Sequence, residues 1–332
     1  MTSPTDSRGS LRRLGAALLA SFGLAALPAL AQTYPNRPVT IIWPFAAGSA
    51  VDGAVRAFAS AVSKRLNQQF VVDNRAGANG MIGLTAMQQA NPNGHVIMFT
   101  TNGMMVQLPL ISRKYTHAPG RDYAPISVLF AQQMVLGAHP GVPFRDLRGL
   151  IDYAKRNPGT LNVATSGTLA TTTLATELVI SKAGIKLTNV PYKGVAQATP
   201  DLLANRVQLQ MMGAQLKQMV DAGKLIAIAV TGQKRWGMFP GVPTLAESGL
   251  PGVYTDIWFP ALAPARTPPA VLATLNAAFN AALTAPEVKG ALEAMSSDPL
   301  GTTAEEAVAR IRAEQEVWLP IVREANLKAD DE

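Results

Sequence analysis

Two segments of this 332-residue chain combine residue types that can hold a small anion. The first is Pro44-Phe45-Ala46-Ala47-Gly48-Ser49-Ala50-Val51-Asp52, between a β-branched run and a stretch of helical periodicity. A strand-to-helix turn leaves the first N–H groups of the helix unpaired and gives them a partial positive charge, which suits a carboxylate or phosphate. Gly48 and Ala50 leave room for close approach, Ser49 adds a hydroxyl, and Phe45 and Ala47 complete the candidate surface. Asp52 has the wrong sign for an anion, so it either orients the loop or receives a ligand ammonium. The second segment is Ala164-Thr165-Ser166-Gly167-Thr168-Leu169-Ala170-Thr171-Thr172-Thr173, in which six of ten residues carry hydroxyls. Thr165, Ser166, Gly167, Thr168 and Thr171 are its candidate ligand residues. The plainer alternative for both is an ordinary capped helix start.

Two more segments follow strand-like runs. One contains Thr101, Asn102 and Met104, the other Tyr192 and Lys193. In open α/β sheets, ligands bind at the carboxyl ends of the strands. Lys193 offers a positive charge there, unless it is simply a solvated lysine.

Enzyme and metal signatures are missing. The chain has no cysteine, and its three histidines, His95, His117 and His139, are far apart. That excludes thiolate chemistry and disfavours a histidine metal site. No G-x-S-x-G elbow occurs. Gly77 to Gly83 reads G-x-x-G-x-x-G, which is not a dinucleotide fingerprint, and Ala222-Gly223-Lys224-Leu225 is not a P-loop. We expect no catalytic residue, no cofactor and no metal. The rival reading is an exported hydrolase using Ser49 or Ser166, which would need a base within hydrogen-bond reach.

Arg8, Arg12 and Arg13 precede an apolar run from Leu14 to Leu27, and Ala29-Leu30-Ala31 gives a small-x-small pattern before Gln32. This reads as a secretory signal peptide over 1–31, cleaved after Ala31, and predicts a periplasmic protein. The run is too short for a membrane span. Its loss removes three arginines and one aspartate, taking the formal charge from +7 to +5. No Lys/Arg-rich run or aromatic–basic alternation supports nucleic-acid binding. A mild positive bias instead favours encounter with small anions.

The rest of the chain alternates apolar runs with amphipathic stretches. Strands are expected at 39–43, 70–72, 96–99, 161–164, 187–190, 207–211, 225–230 and 257–263, with helices between most of them. This rhythm predicts an α/β protein with mostly parallel sheets. Beyond Pro264 the pattern is helical, with Thr267-Pro268 as a helix start and Thr303-Ala304-Glu305-Glu306 as a capping box. Two α/β blocks and a helical tail suggest one lobe from 32–130 plus 258–332 and another from 131–257. The crossings between them would form a hinge, with a ligand cleft between the lobes.

The chain resembles the tripartite tricarboxylate transporter substrate-binding proteins, also called the Bug family. The resemblance covers essentially all of it beyond residue 31. It rests on Tyr34-Pro35-Asn36-Arg37-Pro38, Pro44-Phe45 with Gly48 and Asp52, and Asp73-Asn74-Arg75-Ala76-Gly77-Ala78-Asn79-Gly80. Val190-Pro191-Tyr192-Lys193-Gly194, Val242-Pro243-Thr244-Leu245-Ala246-Glu247-Ser248-Gly249-Leu250 and Trp258-Phe259 extend it. It implies a two-lobed periplasmic-binding-protein fold (type II-like) that closes on a small carboxylate held by one loop from each lobe. The partner implied is a tripartite tricarboxylate-type permease, with the binding protein acting as a monomer. A sensory protein that presents its ligand to a receptor is the functional alternative.

The sequence departs from that family where prolines are usual, at Ala46-Ala47, and at Ser49, Leu169-Ala170 and Thr173. Met104, Met105, Met134, Met211 and Met212 fall near strand ends, where they either line the cleft or pack in the core. These features lead us to expect a ligand with one carboxylate and an apolar or aromatic body.

Overall fold

The computed structural model describes residues 34–112, 114–165, 171–192 and 194–324. The expected signal peptide lies outside them, as do Ser166, Gly167, Thr168 and Lys193.

β1 (Val39–Trp43) is buried along most of its length, as its run of β-branched residues requires. It is followed by α1 (Ala50–Leu66), which starts where the Ser49 hydroxyl accepts the Asp52 N–H and ends at Asn67 in the left-handed conformation. β1 pairs in parallel with both β2 (Phe70–Asn74) and β3 (Val96–Phe99), Trp43 lying opposite Asn74. α2 (Met81–Gln88) links β2 to β3. After β3 come a π-helical turn, Gly103–Gln107, and the short α3 (Leu108–Ile111).

β4 (Tyr123–Gln132) then carries the chain to β5 (Val135–Ala138), the first strand in chain order of a second sheet. That sheet is completed by β6 (Asn162–Thr165), β7 (Thr188–Pro191), β8 (Leu209–Met212) and β9 (Ile226–Val230), in the order β7-β6-β8-β5-β9. Between these strands run α4 (Leu147–Arg156), α5 (Thr171–Ala183), α6 (Val195–Leu203) and α7 (Leu216–Asp221). β10 (Ile257–Pro264) returns to the first sheet. It inserts between β3 and β4, antiparallel to both. α8 (Pro269–Ala282), α9 (Pro286–Ala294), the two-residue β11 (Asp298–Pro299) and α10 (Ala304–Glu324) complete the chain. The first sheet has the order β11-β4-β10-β3-β1-β2.

The expectation of mostly parallel sheets needs correction. Among the described residues, four of the nine strand pairings are parallel and five antiparallel. Four of the five antiparallel pairings involve β5 or β10, the strands by which the chain enters the second sheet after residues 133–134 and returns to the first. Each crossing strand therefore enters its sheet without a helical crossover.

The C-terminal helices pack on the first sheet, and α10 also reaches α5 beside the second. An aromatic column fixes the first layer. Phe58 of α1 stacks on Phe130 of β4 at 5.9 Å, and Phe130 on Phe259 of β10 at 4.3 Å. Phe99 of β3 meets Phe279 of α8 at 5.1 Å. Ring pairs of this kind add about 0.5–1.5 kcal/mol each beyond the area they bury. The expected capping box forms as read: the Glu306 N–H donates to Thr303 Oγ1, and the Thr303 N–H donates to Glu306 Oε2. The α8 start lies one residue later than read, with Pro268 as cap and Pro269 first in the helix.

Candidate ligand-binding site

Because β1, β2 and β3 run parallel, the segments after them emerge at one edge of the sheet. The Arg75 N–H donates to Trp43 O at 2.9 Å, which ties the second segment to the first. At Gly80 (φ +87°) the backbone lies so close to Met104 and Pro44 that an added Cβ would sit 2.3 Å from the methionine sulfur. Only a residue without a side chain closes that junction without strain. The π-helical turn at 103–107 follows β3 at the same edge, and such turns often mark functional sites. Met104 Sδ there accepts the Thr100 hydroxyl at 3.0 Å.

Ala46, Ala47, Gly48, Ser49 and Ala50 form an exposed tip, while Phe45 is half-buried with its ring 4.7 Å from Trp43. The N–H groups of Ser49, Ala50 and Val51 have no partner in the described structure, as a helix start dictates. Asp52 is buried within the loop. Its carboxylate accepts the Gly48 N–H at 3.1 Å, Arg56 Nε at 3.0 Å and Asn74 Nδ2 at 2.9 Å. Burial raises its pKa, but hydrogen bonds from Asn74, Arg56 and Gly48 outweigh that and hold it below the usual carboxylate value. Asp52 therefore orients the loop. The sequence reading left that role open, and it assigned no role to Arg56 or Asn74. The β1–β2 register that sets Asn74 beside the loop depends on a tertiary contact.

On the second sheet, β6, β7 and β8 are likewise parallel neighbours, and the Tyr192 N–H donates to Thr165 O at 2.8 Å. Thr165, at the start of the second candidate loop, and Tyr192 thus share an edge. Thr165 is buried and Thr171 half-buried. The neighbouring Thr172 hydroxyl is buried without a partner among the described residues. The Tyr192 hydroxyl donates to Asp201 at 2.7 Å, and this bond raises its pKa. Asp201 also pairs with Arg206 at 2.9 Å. The phenol thus braces its own loop.

Asn102 has a different part. It is fully buried, its Nδ2 donates to Asp256 O at 2.8 Å, and its Oδ1 accepts the Trp258 N–H at 3.4 Å. Its amide ties the end of β3 to the returning strand. Thr101 is half-buried, and its carbonyl accepts the Met104 N–H. Met104, Met105, Met134 and Met211 belong to the main hydrophobic core and Met212 to the core of the second sheet. Core packing is therefore the reading that their burial supports.

A cavity of about 500 Å³ lies elsewhere, between Leu178 and Lys182 of α5, residues 252–255, and Arg310, Glu314 and Trp318 of α10. Among the described residues, none of the sequence-predicted site residues lines it.

The model of the family described as "Tripartite tricarboxylate transporter family receptor" matches residues 54–327. Protein BugT of Bordetella pertussis is 32% identical over 313 residues, covering 93% of this chain and 95% of BugT. Among solved structures, the chain resembles periplasmic binding protein BugD with 30% identity and a TM-score of 0.71, covering 90% of this chain and 100% of that one. It also resembles R. palustris Rpa4515 with adipate, with 30% identity and a TM-score of 0.74, covering 89% and 99% of the two chains. With its two mixed α/β sheets and these matches along most of its length, the chain belongs to the tripartite tricarboxylate transporter receptors, the family of TctC and Bug periplasmic solute-binding proteins.

Proposed function

We propose that this protein is exported, captures a small carboxylate between its two lobes and delivers it to the permease of a tripartite tricarboxylate-type transporter. The lobes are residues 32–130 with 258–332, and residues 131–257. The observation that carries this reading is the exposed tip at 46–50 and the helix start that follows it, where three backbone N–H groups lack partners among the described residues. Such a cluster, with the helix dipole behind it, offers direct hydrogen bonds to one carboxylate. The opposite contacts come from Thr165, Ser166, Gly167, Thr168, Thr171 and Lys193. A ligand touching both lobes favours the closed state by its differential affinity for it.

The ligand carries one carboxylate on an apolar or aromatic body, a reading supported by Ala46 and Ala47, whose side chains offer no donor in the exposed tip. Adipate, bound by the similar R. palustris protein, has such a body between two carboxylates. The protein acts as a monomer and performs no catalysis. The Ser49 hydroxyl accepts the Asp52 N–H as a helix cap, and the Asp52 carboxylate is engaged by other donors, so that pair is not a nucleophile with its base.

A thermal-shift panel of aliphatic and aromatic carboxylates, run on mature protein stripped of copurified ligand, tests this. A ligand selective for the folded state adds about 2.7 kcal/mol of stability at a hundredfold excess over Kd. We expect at least one carboxylate to raise Tm. A flat panel with folded protein contradicts the reading.

A further inference from the structure

The walls of the cavity between α5 and α10 are held in place by bonds of their own. Arg310 Nε donates to Glu314 Oε1 at 3.3 Å, and the guanidinium lies 5.0 Å over the Trp258 ring. Glu314 Oε1 also accepts Trp258 Nε1 at 2.6 Å. The wall at 252–255 is tied to the end of β9, where the Thr255 N–H donates to Thr231 O at 2.9 Å. The space, about 500 Å³, exists because Ala309 and Ala313 line it from α10, where longer side chains would fill it. That volume suits a small organic molecule.

The lining has two chemical parts. Trp318, Leu178 and Val253 give it buried carbon surface. Its charged members are Lys182, Arg310 and Glu314. Glu314 is spent on internal donors, and Asp256, just behind the wall, offsets part of the Arg310 charge. Lys182 Nζ and the Arg310 Nη atoms donate no hydrogen bond among the described residues. The donors left over at this cavity are thus cationic ones beside an apolar wall.

We propose that this cavity is a second binding site, for an apolar molecule of naphthoate size that carries one anionic group. The apolar body lies against Trp318 and Leu178, and the anion is met by Arg310 and Lys182. A guanidinium fork matches a carboxylate or sulfonate, and lysine adds a point charge. The cavity walls come from α5, packed on the second sheet, and α10, packed mainly on the first, so a bound molecule fixes the spacing of the two helices. The site does not rest on the carboxylate reading of the 45–51 loop.

The test titrates 2-naphthoate, and 2-naphthamide as its neutral analogue, into isotope-labelled mature protein followed by NMR. Naphthoate is expected to shift the Tyr254, Ala313 and Val317 amides in one saturable step, and naphthamide to bind about tenfold more weakly. Lys182→Glu, a change at an exposed side chain, weakens naphthoate about fivefold at these amides. Ala313→Trp fills the space and abolishes the shifts at Tyr254 and Val317. Neither variant alters any shift of the 46–51 amides, which report the first site. Naphthoate that leaves the α10 amides unmoved, or moves only those of 46–51, overturns the second site. Equal affinity for naphthoate and naphthamide overturns the anion assignment, and unchanged affinity in Lys182→Glu overturns the part given to that lysine. Should Ala313→Trp fail to fold, the wild-type shifts and the Lys182→Glu comparison decide the proposal.

Discussion

A methyl group at Gly80 and one at Gly53 would meet opposite surroundings. At Gly80 it would stand 2.3 Å from Met104 Sδ, on a backbone with φ +87°. At Gly53, inside α1, it would meet nothing within 4 Å. Gly80→Ala is expected to lower stability by about 1–2 kcal/mol, chiefly through the left-handed backbone, since the methionine end can yield. Gly53→Ala is expected to raise it by about 0.5–1 kcal/mol, as alanine exceeds glycine in a helix interior. Urea denaturation of the two variants decides both signs. At this scale the sequence was partly legible. The 44–52 loop could be read as a donor surface because strand-to-helix turns leave their first N–H groups unpaired whatever surrounds them. The role of Asp52 could not be read. It depends on Asn74, twenty-two positions away and brought alongside by strand pairing. Asn102 is a candidate by its place after a strand, and what local sequence does not encode is the bonding of its amide to the returning β10 segment.

Among the elements, those with strong local signals were read to within a residue or two. The β-branched run of β1 and the apolar run of β3 are examples, as is the capping box of α10. β4, at ten residues among the longest strands, was missed. Pro125 interrupts its apolar run, and its burial on both faces leaves no alternation to detect. Strand direction was misjudged for a related reason. Alternating strands and helices predict parallel neighbours only while the chain stays within one sheet. Here β4 and β10 cross between sheets and pair antiparallel over eight residue pairs. No local pattern encodes a partner some 130 residues away.

Across the whole molecule, the return path into β10 gathers buried charge. The Asp256 carboxyl has an oxygen with no hydrogen-bond partner among the described residues, and burial pushes its pKa up to about 7. Arg310 and the Thr231 hydroxyl oppose that shift, while Glu314 and Asp298 reinforce it. Glu314 is itself raised by burial, although Arg310 and Trp258 Nε1 bind it. The sign follows from proton counts. The unfolded chain ionises this aspartate near pH 4, so between about pH 4 and 7 the unfolded state binds fewer protons and stability falls as pH rises. Asp256→Asn is expected to flatten that fall and to stabilise the protein at pH 8 by roughly 2–4 kcal/mol. Some slope remains from Glu314. Denaturant midpoints between pH 4 and 8 measure it, and equal slopes in wild type and variant would refute the assignment.

Whether a carboxylate sits on the helix start after β1 is decided by a crystal structure of the mature protein with the carboxylate that most raises its Tm. One carboxylate is expected within hydrogen-bond distance of the Ser49, Ala50 and Val51 N–H groups, with residues of the 165–171 loop on the far side of the ligand. A ligand seated instead in the cavity between α5 and α10, with the 46–51 tip facing only solvent, would contradict it.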